Sequence, residues 1–184
     1  MFTKIAKLDP KAAARLVRAF DTATPGVQQQ MALDTGEGLF ASDDATVLSW
    51  LHEALASEYL AWMTYYTFGG TVRGLFKGQI SGMFFEHATE EAGHAEQLLL
   101  WIAVLSRNPG QMPSIPMPPT LFSIADMLRT LIGQEQTAIA TYRRGLELAG
   151  TKEGFRQMVE TLIEAEQTHS NELITLVENL GAPA

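Results

Sequence analysis

Cysteine is absent from this 184-residue chain, which excludes disulfides, thiolate metal sites and catalytic thiols. No run of about eighteen apolar residues occurs, so no bilayer span and no membrane partner are expected. The N-terminal stretch has lysines but no apolar h-region, and no secretory signal is expected from it. A soluble cytoplasmic protein is the expectation. Positive charge is scarce too. Thirteen Lys and Arg against 21 Asp and Glu give a net charge of −8, which argues against a general nucleic-acid binder. The length suits one domain with a sizeable core.

That charge is unevenly spread. Residues 1–20 hold Lys4, Lys7, Lys11, Arg15 and Arg18 against Asp9, a local +4, which leaves −12 for the other 164 residues. A basic arm on an acidic body can bind nucleic acid or an acidic partner surface. Its plainer reading is the solvated face of a terminal helix.

Asp9-Pro10 is a helix start, with Asp as N-cap and Pro in the first turn. A short helix over Lys11–Phe20 follows, stopped by Thr24-Pro25-Gly26. Gln28–Ala41 is polar and glycine-bearing and reads as a connector. Residues 1–41 are therefore an N-terminal extension, and 42–184 a helical domain.

Four long helices are predicted in that domain. The first is capped by Ser42, with Asp43 and Asp44 complementing the helix dipole, and runs from Thr46 to about Phe68. Leu48, Leu51, Leu55, Glu58, Trp62 and Tyr65 recur along it at three- and four-residue steps. Gly69-Gly70 and Gly74 loosen the turn that follows. The second helix spans Gln79–Arg107, with Met83, Phe84, Ala88, Leu98, Trp101, Ile102 and Leu105 on the side that also carries Glu91 and His94. Asn108-Pro109-Gly110 ends it. Four prolines in Gln111–Thr120 forbid helix there, and a connection of this length suits a crossover that sets the second and third helices parallel. The third helix starts at Ser123, with Asp126 completing a capping-box pattern, and ends at Ala149 before Gly150. Leu128, Leu131, Ile132, Glu135, Ile139 and Tyr142 line one side. Thr151 caps the fourth helix, Lys152 to Leu180, where Met158, Leu162, Glu166, His169, Leu173 and Val177 face inward. No fifth helix is expected after it.

A carboxylate on an apolar stripe is costly unless paired or metal-bound, and here four lie on such stripes. Glu91-x-x-His94 puts a carboxylate and an imidazole on one helix face. One such motif is common. It gains meaning because Glu166-x-x-His169 repeats it, and because each copy follows a glutamate on the helix before. Glu58 precedes Glu91 by 33 residues, and Glu135 precedes Glu166 by 31. Glu, Glu-x-x-His, Glu, Glu-x-x-His on four helices is the set a carboxylate-bridged di-metal site in a four-helix bundle requires.

Oxygen and imidazole donors without sulfur suit iron, manganese or zinc. Glu91 and Glu166 can bridge two metals, Glu58 and Glu135 can each cap one, and His94 and His169 give each metal a nitrogen. Tyr65 and Tyr142, each seven residues after a terminal glutamate, would hydrogen-bond those carboxylates and steady them. Two metals about 3.5–4 Å apart can share a substrate, and two irons can reduce O2 or H2O2 by one electron each. Glu86, His87 and Glu90, near this set, and His52 and Glu53, before Glu58, read as exposed or as subunit contacts. An accessory or iron-admitting position at Glu86 or His87 is the sharper alternative. Trp62, Phe84, Phe85 and Trp101 read as core.

Ser57-Glu58-Tyr59-Leu60-Ala61 with Tyr65, Glu91-Ala92-Gly93-His94-Ala95-Glu96, the Arg107-Asn108-Pro109 turn with its proline-rich sequel, Glu135 and Glu166-x-x-His169 together resemble the ferritin-like superfamily, bacterioferritin and its Dps-like relatives in particular. The resemblance covers residues 43–180. It implies an all-α four-helix bundle with a long crossover, two iron ions, and oxidation of Fe(II) by O2 or H2O2, with storage as a further role. Ala92 stands where bacterioferritin has its haem-binding methionine, so no haem is expected. Without a fifth helix, a dimer or a Dps-like dodecamer is expected rather than a larger cage. The cysteine pair usual in Dps-like proteins with such a site is missing, and a rubrerythrin is excluded for want of cysteine. The same ligands also serve di-iron or di-manganese oxidases acting on an organic substrate or a peroxide. A DNA-compacting shell using the basic N-terminus is the reading from another class.

Overall fold

The computed structural model describes residues 44–105 and 114–181. The predicted helix over Lys11–Phe20, the 1–41 extension, the Ser42 cap and the Asn108-Pro109-Gly110 stop lie outside the described residues. Four α-helices make up the rest, with no strand among the described residues. They are α1 (Asp44–Thr71), α2 (Lys77–Leu105), α3 (Ile124–Ala149) and α4 (Glu153–Asn179). None is long and apolar enough to cross a membrane.

Amphipathic periodicity explains how they pack. Val47, Trp50, Leu51, Ala54, Leu55, Glu58, Ala61, Thr64, Tyr65 and Phe68 are all buried, each with another of the set three or four residues along α1. Two apolar clusters result, one at each end of the bundle. The first joins the start of α1 (Leu51, Leu55) and of α4 (Phe155, Leu162) to the ends of α2 (Leu98, Ile102) and α3 (Tyr142, Ala149). The second joins the end of α1 (Tyr65, Phe68) and of α4 (Leu173, Val177) to the starts of α2 (Ile80, Phe84) and α3 (Leu128, Leu131). Thus α1 runs parallel to α4, and α2 parallel to α3. Each hairpin, α1–α2 and α3–α4, is antiparallel and packs on the other through α1 with α3 and α2 with α4.

Parallel α2 and α3 require the crossover that the prolines predict. The chain between Leu105 and Ile124 must return along a 26-residue helix, about 39 Å at 1.5 Å per residue. Extended chain covers that distance at about 3.3 Å per residue. Its described part, residues 114–123, contains no helix.

Local details depart from the sequence reading in three places. Helix α1 continues through Gly69-Gly70 to Thr71, and the reversal falls at Gly74, whose φ of 110° is open to glycine. Within the helix, Gly69 leaves room for Phe85, whose ring would lie 3.0 Å from a Cβ at that position. At α3, Ser123 Oγ accepts from the Asp126 N–H, but the Asp126 carboxylate pairs with Arg129 at 2.9 Å rather than closing a capping box. At α4, the N-cap position is Lys152 rather than Thr151 and carries no side-chain cap; Glu153 in the first turn answers the dipole, and Arg156 Nη2 donates to Gly150 O at 2.9 Å.

Candidate metal centre

Between the two apolar clusters, at mid-height of the bundle, all four helices turn acidic side chains inward. Glu58 comes from α1, Glu91 and His94 from α2, Glu135 from α3, and Glu166 and His169 from α4. All six are buried, the carboxylates to 1% exposure or less. The three-residue Glu–His step puts both side chains of α2, and both of α4, on the inner face of one turn.

Their polar atoms form two overlapping groups. Glu58, Glu91, His94 and Glu166 make one, and Glu91, Glu135, Glu166 and His169 the other, with the donor atoms of each group within 4.8 Å of one another. Glu91 and Glu166 are common to both. His94 Nδ1 lies 2.9 Å from Glu166 Oε1, 3.1 Å from Glu91 Oε2 and 3.3 Å from Glu58 Oε2. His169 Nδ1 lies 3.0 Å from Glu91 Oε1, 3.6 Å from Glu166 Oε2 and 3.9 Å from Glu135 Oε2. The terminal carboxylates are held from outside. Tyr142 donates to Glu58 Oε1 at 2.5 Å, and Tyr65 donates to Glu135 Oε1.

Burial among like charges governs the protonation of this set. Desolvation, reinforced by Glu91 and Glu166 and opposed by His94, pushes the Glu58 carboxyl well above its usual range. Glu135 is pushed up to about 11, by burial and then by Glu166 and Glu91. Burial would also raise Glu91 and Glu166, but the adjoining imidazoles of His169 and His94 outweigh it and hold both below the usual carboxylate value. Burial opposes the charge on His94 and His169, yet their carboxylate neighbours raise them to about 12 and about 11.

A cation fits what remains. Glu58 Oε2, Glu91 Oε1, Glu166 Oε1 and His169 Nδ1 are buried with no hydrogen-bond partner. Unpartnered buried polar atoms are costly, and three carboxylate oxygens with an imidazole nitrogen at one point are what a metal relieves. All-oxygen-and-imidazole donors suit a divalent transition metal. The cluster could therefore hold metal ions.

Other polar residues fall differently from the sequence reading. His87 is buried rather than exposed: it stacks on His169 with ring centroids 4.2 Å apart, and its Nε2 hydrogen-bonds Glu172 Oε2 at 2.8 Å. Burial first, and then the neighbouring His169, lower its pKa. Glu90 is exposed but reaches His169 Nε2 at 2.6 Å. Phe84, His87, Glu91, His94 and Leu98 share one face of α2, a register that could have found His87. Glu86 and Glu53 are exposed, and Glu53 pairs with Arg144. His52 is half-buried and stands in neither group. Phe84 is core and Trp101 half-buried, but Trp62 and Phe85, read as core, are 39% and 37% exposed.

Comparison with known proteins agrees with this geometry. The family described as Ferritin-like domain matches residues 48–182. No curated protein matches the sequence. Among solved structures, a ferritin-like diiron-carboxylate protein of Bacillus anthracis is 27% identical with a TM-score of 0.68, over 74% of this chain and 99% of that one. The dodecameric thioferritin of Bacteroides fragilis, a bacterioferritin-related protein, is 22% identical with a TM-score of 0.67, over 76% and 88%. The Dps protein of Vibrio cholerae is 17% identical with a TM-score of 0.66, over 73% and 90%. A match across most of the chain, on a bundle of this topology, makes this protein a member of the ferritin-like family.

Proposed function

We propose that this protein is a di-iron ferroxidase that oxidises Fe(II) with O2 or H2O2. The observation that carries the reading is the pair of buried four-residue groups sharing Glu91 and Glu166. In it, Glu58 and His94 would complete one metal position and Glu135 and His169 the other, with Glu91 and Glu166 shared between them. Likeness to a diiron-carboxylate protein of the same fold supports two irons over one.

Fe(II) is the substrate. Two Fe(II) give one electron each; with H2O2 and two protons they yield two Fe(III) and two waters, and with O2 and two protons they yield two Fe(III) and H2O2. The chain binds and orients. Its four carboxylates offset the charge of two divalent ions, Tyr65 and Tyr142 fix the terminal pair, and the apolar layers on both sides exclude bulk water.

Self-association belongs to the same reading. Trp62, Tyr66 and Phe85 stand exposed on α1 and α2, the last two with ring centroids 5.3 Å apart. An aromatic face of this kind supports a homo-oligomer, a dimer or a dodecamer like the one the Bacteroides protein forms. Light scattering on the purified chain measures its size.

The deciding experiment loads metal-free protein with excess Fe(II) in air and measures soluble iron per chain after gel filtration. Tens of irons per chain establish storage in a cage. Two establish a catalytic pair without a store and direct the search to an organic substrate. None refutes the metal centre.

A further inference from the structure

The halves of the centre are built alike but flanked differently. A shift of 75 residues carries Glu91 onto Glu166 and His94 onto His169. The same shift carries His87 onto Leu162, Glu90 onto Ala165 and Gln97 onto Glu172. The residues around one histidine thus have no chemical equivalent around the other.

The differences converge on His169. Its Nε2 meets the Glu90 carboxylate at 2.6 Å, and its ring lies against His87 at 4.2 Å and 20° from parallel. His87 is itself anchored by Glu172. His94 has Ala165, Leu162 and Gln97 at the matching places, and its ion pairs among the described residues all use Nδ1. A carboxylate on the outer nitrogen of a ligand histidine fixes the tautomer that leaves the inner nitrogen free, holds the ring, and raises its basicity. His169 has that support; among the described residues, His94 does not.

We propose that Glu90 is a positioning residue that makes the two metal positions unequal, so that the position served by His169 fills first and binds more tightly. The inference rests on the two-metal reading above. Glu90 touches no reacting atom in it and acts through His169 alone.

Titration of the metal-free full-length chain with Co(II), followed by visible absorption, tests this directly. Two equivalents are expected in two resolved phases. Glu90→Ala should weaken the first by about 10–100-fold and leave the second unchanged, while Glu90→Asp restores part of the loss. Ala165→Glu, which places a carboxylate opposite His94, should tighten the second phase and bring the two together. Two equal phases in the parent chain, or Glu90→Ala acting on both phases or on neither, overturn the inference and leave the di-metal centre standing. Failure to bind Co(II) at all overturns the centre itself, and the inference with it. Thermal melts of each variant separate loss of ligand support from loss of fold.

Discussion

Tyr142 on α3 donates its hydroxyl to Glu58 on α1 at 2.5 Å, and Tyr65 on α1 returns the arrangement by donating to Glu135 on α3. Each tyrosine therefore steadies the terminal carboxylate of the other hairpin. Tyr142→Phe keeps the ring and removes the donor. It should weaken divalent-metal binding by about 10–100-fold, as loss of an outer partner does elsewhere. Competition with a chromophoric chelator measures it; unchanged affinity would show that packing alone orients Glu58.

Removing ligands should separate shared from private ones. Glu91 belongs to both groups and Glu58 to one. Glu91→Ala should abolish bound metal at both positions, whereas Glu58→Ala should leave about one ion per chain. Metal per chain by elemental analysis checks this. Full occupancy in Glu91→Ala would refute the bridge.

Protonation gives a pH dependence with a defined sign. Against the effect of burial, their carboxylate neighbours push His94 up to about 12 and His169 up to about 11 in the fold, from an ordinary 6.5. The stability they lend is full below pH 6.5 and declines as pH rises toward those values. Glu135, raised from 4.5 to about 11, acts in the same direction from pH 4.5 upward, because only the folded chain keeps its proton. Metal displaces these protons. Metal-free protein should therefore lose stability from about pH 5 to 8 while the loaded form does not, and the gap between their melting temperatures should widen. Paired thermal scans measure the gap; one that narrowed over this range would contradict the assignment.

Packing in the first apolar cluster makes Gly145 costly to replace. A Cβ there would sit 2.3 Å from Trp50 Cζ2, and that indole is pinned by its Nε1 donating to Thr141 O at 2.8 Å. Gly145→Ala gains up to about 1 kcal/mol in helix propensity but forces overpacking that costs about 1–3 kcal/mol. The net effect should be a lower melting temperature. Gly133→Ala, with nothing within 4 Å, should raise it by the propensity gain alone.

Much of this was legible in the sequence. Glu58, Glu91, Glu135 and Glu166 lie on stripes that are otherwise apolar, and a carboxylate has few reasons to be there. Four such positions with two histidines at fixed spacing specify the meeting of four helices. The prolines specified the crossover, since no helix survives them.

What stayed hidden depended on neighbours that spacing does not name. His87 lies among the polar residues Glu86, Thr89 and Glu90, a composition that masks its register with Glu91 and His94. The Glu90–His169 and His87–Glu172 contacts join helices α2 and α4, and only the docked bundle reveals them. Trp62 and Phe85 look like core because they are aromatic, yet α1 and α2 are apolar on their outer sides too. Gly69-Gly70 reads as a break, but α1 passes through it with Phe85 packed against Gly69.

The six clustered residues divide evenly between hairpins: α1 and α2 hold Glu58, Glu91 and His94, and α3 and α4 hold Glu135, Glu166 and His169. Neither four-residue group is complete within one hairpin, because Glu166 is needed for one and Glu91 for the other. A chain growing from its N-terminus cannot assemble either group until its last helix is made and seated. Any metal these groups hold is therefore captured only once both hairpins are docked, so binding would report on the completed fold.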